Sequence, residues 1–137
     1  MNVKYFSDLN DEERKSILNV LNNVFPDYDY NDQSFSQWCI DNKIKIFYIR
    51  NESIIGALSI HLEKGRWVVS NFGVLNEYRG NGVGSMLFKE VQKQYPKFYL
   101  EVDLKNYRAL DFYLKKGGIV IEETKDCYVM YFESIDF

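Results

Sequence analysis

The segment Arg79-Gly80-Asn81-Gly82-Val83-Gly84-Ser85 most constrains what this chain can become. It follows an apolar run, Trp67–Val74, and opens a stretch with Val83, Met86, Leu87, Val91 and Tyr95 at helical spacing. Glu90, Gln92 and Lys93 fall on the other face, and Pro96 ends the stretch. Phe98–Val102 is the next short apolar run. A strand, a helix and a strand in that order place the two strands parallel, because the crossover returns the chain to the same end of the sheet. The alternate glycines let the backbone turn tightly and leave its amides open to a ligand. A helix start also carries unpaired N–H groups and a partial positive charge, so an anion such as a pyrophosphate is favoured there.

The flanking segments set the rest of the architecture. Val3–Phe6 reads as a short strand. Asn10 caps an acidic first turn, and Ile17, Leu18, Leu21 and Val24 continue a helix to Pro26. Phe35, Trp38 and Ile40 suggest a second short helix. Ile44–Arg50 and Ile54–Leu62 alternate about a turn at Asn51-Glu52-Ser53, and a turn at Lys64-Gly65 leads into Trp67–Val74. These three strands form an antiparallel meander. After Phe98–Val102, Asn106–Lys116 reads as a helix ended by Gly117-Gly118, and Val120–Glu123 and Tyr128–Glu133 are the last strands. The order is β-α-α-β-β-β-α-β-α-β-β. The expected fold is α/β (α+β): one domain over residues 1–137, with a mixed, mostly antiparallel sheet and helices on both faces.

Composition narrows the partners. Seventeen cations against twenty carboxylates leave a net charge of −3, with no basic stripe, which disfavours nucleic acid. Aromatics make up 17% of the chain, enough to fill a sheet–helix interface with rings. Cys39 and Cys127 lack metal-ligand spacing, and the single histidine, His61, completes no zinc site, so no metal is expected. No apolar run reaches membrane-spanning length and the N-terminus has no signal-peptide core, so the chain is expected to be soluble and cytoplasmic.

Spacing excludes the common phosphate motifs. A Walker A loop needs Gly-Lys-Ser/Thr, and no Lys follows the glycines; G-x-G-x-x-G fails at Ser85 or Leu87. Instead, Val74 to Leu87 resembles the acetyl-CoA-binding signature of the GNAT N-acetyltransferase family, whose core Arg/Gln-x-x-Gly-x-Gly/Ala is matched by Arg79, Gly82 and Gly84. Leu100-Glu101-Val102, Asn106, Ala109, Phe112-Tyr113 and Lys116-Gly117 resemble the same family's second signature. The resemblance covers nearly the whole chain. Asn76 replaces a common Pro, and Gly118-Ile119 stands where Gly-Phe is usual.

The resemblance implies an N-acetyltransferase that uses acetyl-CoA as co-substrate and passes the acetyl group to a primary amine by direct attack. It implies that Trp67–Val74 and Phe98–Val102 splay, with the pantetheine arm between them. Backbone groups of Phe72, Gly73 and Val74 would then bond that arm, with the Val74 N–H aimed at the thioester oxygen. The amides of Arg79, Gly80, Asn81, Gly82, Val83 and Gly84, with Ser85 beside them, would hold the pyrophosphate.

An alkylamine arrives protonated at a pKa of about 10, and the departing thiolate needs a proton. Tyr113, seven residues after Asn106, shares its helix face to within about 20°. The second signature makes Tyr113 the acid rather than a core aromatic. Asn106 is a cofactor contact or a plain N-cap. Glu101 stands out of phase with Leu100 and Val102 and is either the base or half of an ion pair. His61 is the weaker alternative. The loop Asp27-Tyr28-Asp29-Tyr30-Asn31-Asp32 is either a solvated surface or a selector of a cationic acceptor by charge and ring faces. The acceptor is expected to be a small-molecule or peptide amine, and a homodimer stays open. The competing class is a non-catalytic acyl-CoA-binding regulatory module.

Overall fold

The computed structural model describes residues 1–27, 29–30 and 33–134. The strands are β1 (Asn2–Tyr5), β2 (Lys45–Asn51), β3 (Ser53–Glu63), β4 (Arg66–Val74), β5 (Lys97–Asp103), β6 (Ile119–Glu123) and β7 (Cys127–Glu133). The helices are α1 (Asp11–Val24), α2 (Gln33–Asp41), α3 (Val83–Gln94) and α4 (Tyr107–Lys115). Their order along the chain is the expected one, with boundaries moved by one or two residues. Phe6 leaves the first strand for a 3-10 turn, where its ring is buried.

One seven-stranded sheet runs β1-β2-β3-β4-β5-β7-β6. Every neighbouring pair is antiparallel except β4 and β5, which the α3 crossover makes parallel. α1 and α3 lie on opposite faces. A side chain at Gly73 would strike Val24 of α1 at 2.7 Å, whereas one at Gly56 would strike Val83 of α3 at 2.9 Å. Gly56 and Ala57, the partner of Gly73, are consecutive on β3 and so point to opposite sides.

Helix α1 begins in a capping box. Asn10 Oδ1 accepts from the Glu13 N–H at 2.8 Å, and Glu13 Oε1 accepts from the Asn10 N–H at 3.0 Å. Glu13 does more than its position in an acidic first turn suggests. Its carboxylate is buried and accepts from the Tyr48 hydroxyl at 2.6 Å and the Lys4 ammonium at 3.0 Å. The Tyr48 bond, then the Asn10 amide, hold its pKa down to about 2.

Helix α3 corrects one detail. Met86 was expected on the buried face but is 57% exposed, and Phe88 is fully buried instead. The apolar stripe runs Val83, Leu87, Phe88, Val91, so it is centred one residue later. Phe88 turns into a ring cluster with Phe98, Phe112, Tyr113 and Phe132, which fills the space between α3, α4 and the sheet. Gly118 is buried where a side chain would strike Phe132 at 2.6 Å, and Ile119 faces solvent. Among the described residues no helix is long and apolar enough to cross a membrane, and no three metal-binding side chains group together.

Candidate active site

The site lies where the sheet comes apart. β4 and β5 share two registered pairs, Val68↔Tyr99 and Val69↔Leu100, and none beyond. The C-terminal ends of the two strands therefore border a seam. A cavity of about 720 Å³ occupies one side, lined by Phe72, Gly73, Val74, Arg79, Gly80, Gly82, Val83, Gly84, Ser85, Asn106, Arg108 and Tyr113 among others. A smaller one of about 250 Å³ is lined by Ser70, Asn71, Glu101, Asp103 and Tyr30, together with Phe72, Asn106 and Tyr113 from the first. The two chambers thus share a wall, and Tyr113 stands in it.

The large chamber runs from the open seam to the start of α3. Leu75 N–H donates to Ile55 O at 2.8 Å, in register with Gly56↔Val74. Alternation along an antiparallel pair then turns the N–H and C=O of Phe72 and Val74 away from β3 and toward the seam. The Val74 carbonyl accepts from Arg79 Nε at 3.2 Å. Its N–H stays available, as the sequence reading requires.

Gly73 is different. Its own polar groups face β3, so it contributes by its missing side chain rather than as a donor. At the far end, Gly80 and Gly82 adopt φ of +82° and +80°, which L side chains rarely tolerate. The first helical bond of α3 runs from Met86 N–H to Gly82 O, so the amides of Val83, Gly84 and Ser85 have no carbonyl in the preceding turn. Those amides, Arg79 and Arg108 suit a pyrophosphate. Asn81 is exposed at the turn, between Gly80 and Gly82 of the lining.

Tyr113 comes from α4. Burial pushes its phenol well above the usual range, and its hydroxyl makes no hydrogen bond among the described residues. It stays protonated at neutral pH and so can only give a proton. Asn106 is the N-cap of α4, its Oδ1 accepting from the Ala109 N–H at 3.2 Å, yet it also borders both chambers. The two readings of Asn106 are compatible.

Glu101 lines the small chamber, exposed, with no ion pair or hydrogen bond among the described residues. His61 is on β3, buried against Trp38 at 5.3 Å between ring centres, and lines neither chamber. It stands outside the site. Of the acidic loop, Tyr28, Asn31 and Asp32 lie outside the described residues. Asp27 and Asp29 are exposed and off the lining, while Tyr30 reaches the small chamber. The carboxylates of that chamber are Glu101 and Asp103 instead. Sequence reading passes over Asp103 and Arg108. Only Arg108's position four residues before Phe112, on one helix face, marks it.

A model of the acetyltransferase (GNAT) family matches residues 6–118, and the chain belongs to that family. It is similar to the probable N-acetyltransferase san of Drosophila melanogaster, 26% identical over 129 residues, covering 87% of this chain and 70% of the relative. It is 28% identical over 122 residues to N-alpha-acetyltransferase 50 of Danio rerio, covering 81% and 72%. Among solved structures, Arabidopsis thaliana Naa50 in complex with the bisubstrate analogue CoA-Ac-MVNAL matches with a TM-score of 0.71 at 27% identity, covering 98% of each chain. The chain is an acetyl-CoA-dependent acyltransferase.

Proposed function

We propose that the chain acetylates a primary amine by direct attack, with acetyl-CoA in the large chamber and the amine in the small one. The observation that carries this reading is that two cavities, one lined by a helix N-terminus and one by carboxylates, meet at Tyr113 across the β4–β5 seam. Acetyl-CoA supplies a thioester when bound. Glu101 takes the proton that the ammonium must lose, directly or through water. The neutral amine nitrogen bonds to the acetyl carbon, the C–S bond breaks, Tyr113 gives its proton to the sulfur, and the second proton of the attacking nitrogen, shed as the amide forms, returns to Tyr113 through water. In water a phenol raised above 10 is a weak donor to a thiolate near about 8.5, but a thiolate released beside Tyr113 is desolvated for the same reason, which narrows the gap. The Val74 N–H, turned toward the seam, would face the oxygen on which charge develops.

The acceptor arrives as a cation, drawn by Glu101 and Asp103. A peptide α-amine heads the candidates because N-alpha-acetyltransferase 50 of Danio rerio is a relative and the Arabidopsis protein holds a peptide-bearing analogue. Both cysteines are free, as suits the reducing cytoplasm in which we place the enzyme. The test is a turnover screen with acetyl-CoA against a peptide with a free α-amine, a polyamine and an aminoglycoside. Coenzyme A release dependent on one of these supports the reading. Binding of acetyl-CoA with no turnover of any amine overturns it and favours the regulatory module.

A further inference from the structure

We propose that buried Ser59 is a positioning residue for the acceptor amine, acting through Asn71, which contacts the amine in the small chamber. This rests on the assignment of that chamber to the acceptor. Ser59 is 4% exposed on β3, a hydroxyl buried deep in an apolar strand. It faces the point where β4 carries an extra residue, since the register slips between Ser59 and Ile60. In a regular ladder the Asn71 N–H would donate to a β3 carbonyl. Here it donates to Ser59 Oγ at 2.9 Å, and the Asn71 side-chain NH2 donates to the same oxygen at 3.3 Å.

Hydrogen-bond capacity then fixes the direction of the cluster. A serine hydroxyl has two lone pairs and one proton. Both lone pairs of Ser59 are taken by Asn71, so its own proton goes to Ser70 Oγ at 2.8 Å, nearer than the Asn71 carbonyl at 3.4 Å. Two consequences follow for the chamber that Ser70 and Asn71 line. With its NH2 turned to Ser59, Asn71 is left with Oδ1, an acceptor, to offer the chamber. Ser70, having accepted from Ser59, keeps its own proton to donate outward.

A neutral amine ready to attack has two N–H donors and one lone pair. Asn71 Oδ1 takes one N–H and so turns the lone pair, with Glu101 on the same wall receiving the proton already lost. The same cluster replaces a ladder bond at the bulge, immediately after the last β4–β5 pair at Val69↔Leu100. Ser59 therefore sets which atom of Asn71 meets the amine.

The test is a double-mutant cycle with Ser59→Ala and Asn71→Ala, using the amine that the parent turns over fastest in the screen. Each single variant is expected to raise KM for the amine about tenfold, the loss of one hydrogen bond to a charged or reacting nitrogen. Acetyl-CoA affinity by calorimetry should stay within about twofold, which a general loosening of the fold would not allow. The double variant should be no worse than the poorer single one, because the two residues act as a unit. Effects that multiply, or a KM within about twofold of the parent for either variant, overturn the proposal. Should Ser59→Ala fail to fold, Asn71→Ala at its partly exposed position decides alone, and an unchanged KM there overturns it. A parent that turns over no amine fails the functional reading first, and this inference with it; a parent that is active with unmoved variants fails only this one.

Discussion

Two tyrosines, one fully and one partly buried, behave in opposite ways. Tyr48, on β2, is 1% exposed and gives its hydroxyl proton to Glu13 at 2.6 Å, inside a cluster that also binds Lys4 and the cap of α1. Tyr113, on α4, packs against the rings of Phe72, Phe88, Phe112 and Phe132, and its hydroxyl has no partner among the described residues. Burial raises both phenols. At Tyr48 the hydroxyl is consumed by the fold, and its loss leaves a buried carboxylate short of a bond. At Tyr113 the hydroxyl, unpaired among the described residues, stands between the two chambers. The contrast extends to the strands around them. β3 pairs with β4 over most of its length, but β4 and β5 share only two registered pairs. Backbone groups left unpaired at such a place are available to a substrate.

The largest expected effect breaks this contrast at its active end. Tyr113→Phe should lower kcat by ~10²–10⁴ and leave acetyl-CoA affinity within about twofold, measured by steady-state kinetics and calorimetry. A kcat within about a factor of two, with chemistry rate-limiting, makes Tyr113 a core aromatic like its neighbours. Next comes Gly84→Asp. A carboxylate in the first turn of α3 favours the helix dipole but repels a pyrophosphate, so the variant should keep its thermal midpoint and lose at least about tenfold in acetyl-CoA affinity. Unchanged affinity would move the phosphates away from α3.

Tyr48→Phe should show the reverse signature to Tyr113→Phe. Unfolding free energy falls by about 1–2 kcal/mol in a denaturant titration, while kcat stays near the parent's. A variant that loses activity without losing stability would erase the distinction drawn here. The last effect is read in acid. Glu13 has its folded pKa depressed from 4.5 to about 2, so its stabilisation is complete above about pH 4.5 and is lost as pH falls through about 2. Glu13→Gln does not titrate. The stability difference between parent and variant should shrink over that window, and a constant difference would show that the carboxylate charge is not what holds the cluster.

Much of this was legible in the chain itself. Periodicity marks every strand and helix, because alternation and helical spacing record which side chains meet the core locally. The glycines of residues 80–84 announce a helix start open to anions, since φ near +80° and an uncovered amide are properties of the residue type. Glu101 stands out because a carboxylate between Leu100 and Val102 breaks an apolar run. Other features were fixed only by the assembled fold. Met86 and Phe88 exchange places because the stripe on α3 is centred by the ring cluster, not by the helix. Glu13 becomes a buried acceptor because β2 brings Tyr48 against it, thirty-five residues away in sequence. Ser59 and Asn71 meet because β4 carries one residue more than β3 opposite them. Arg108 and Asp103 gain meaning only once β4 and β5 part. A sequence states what each residue prefers among its near neighbours, whereas pairing between distant segments depends on which strands come to lie side by side, and at this seam on where they stop.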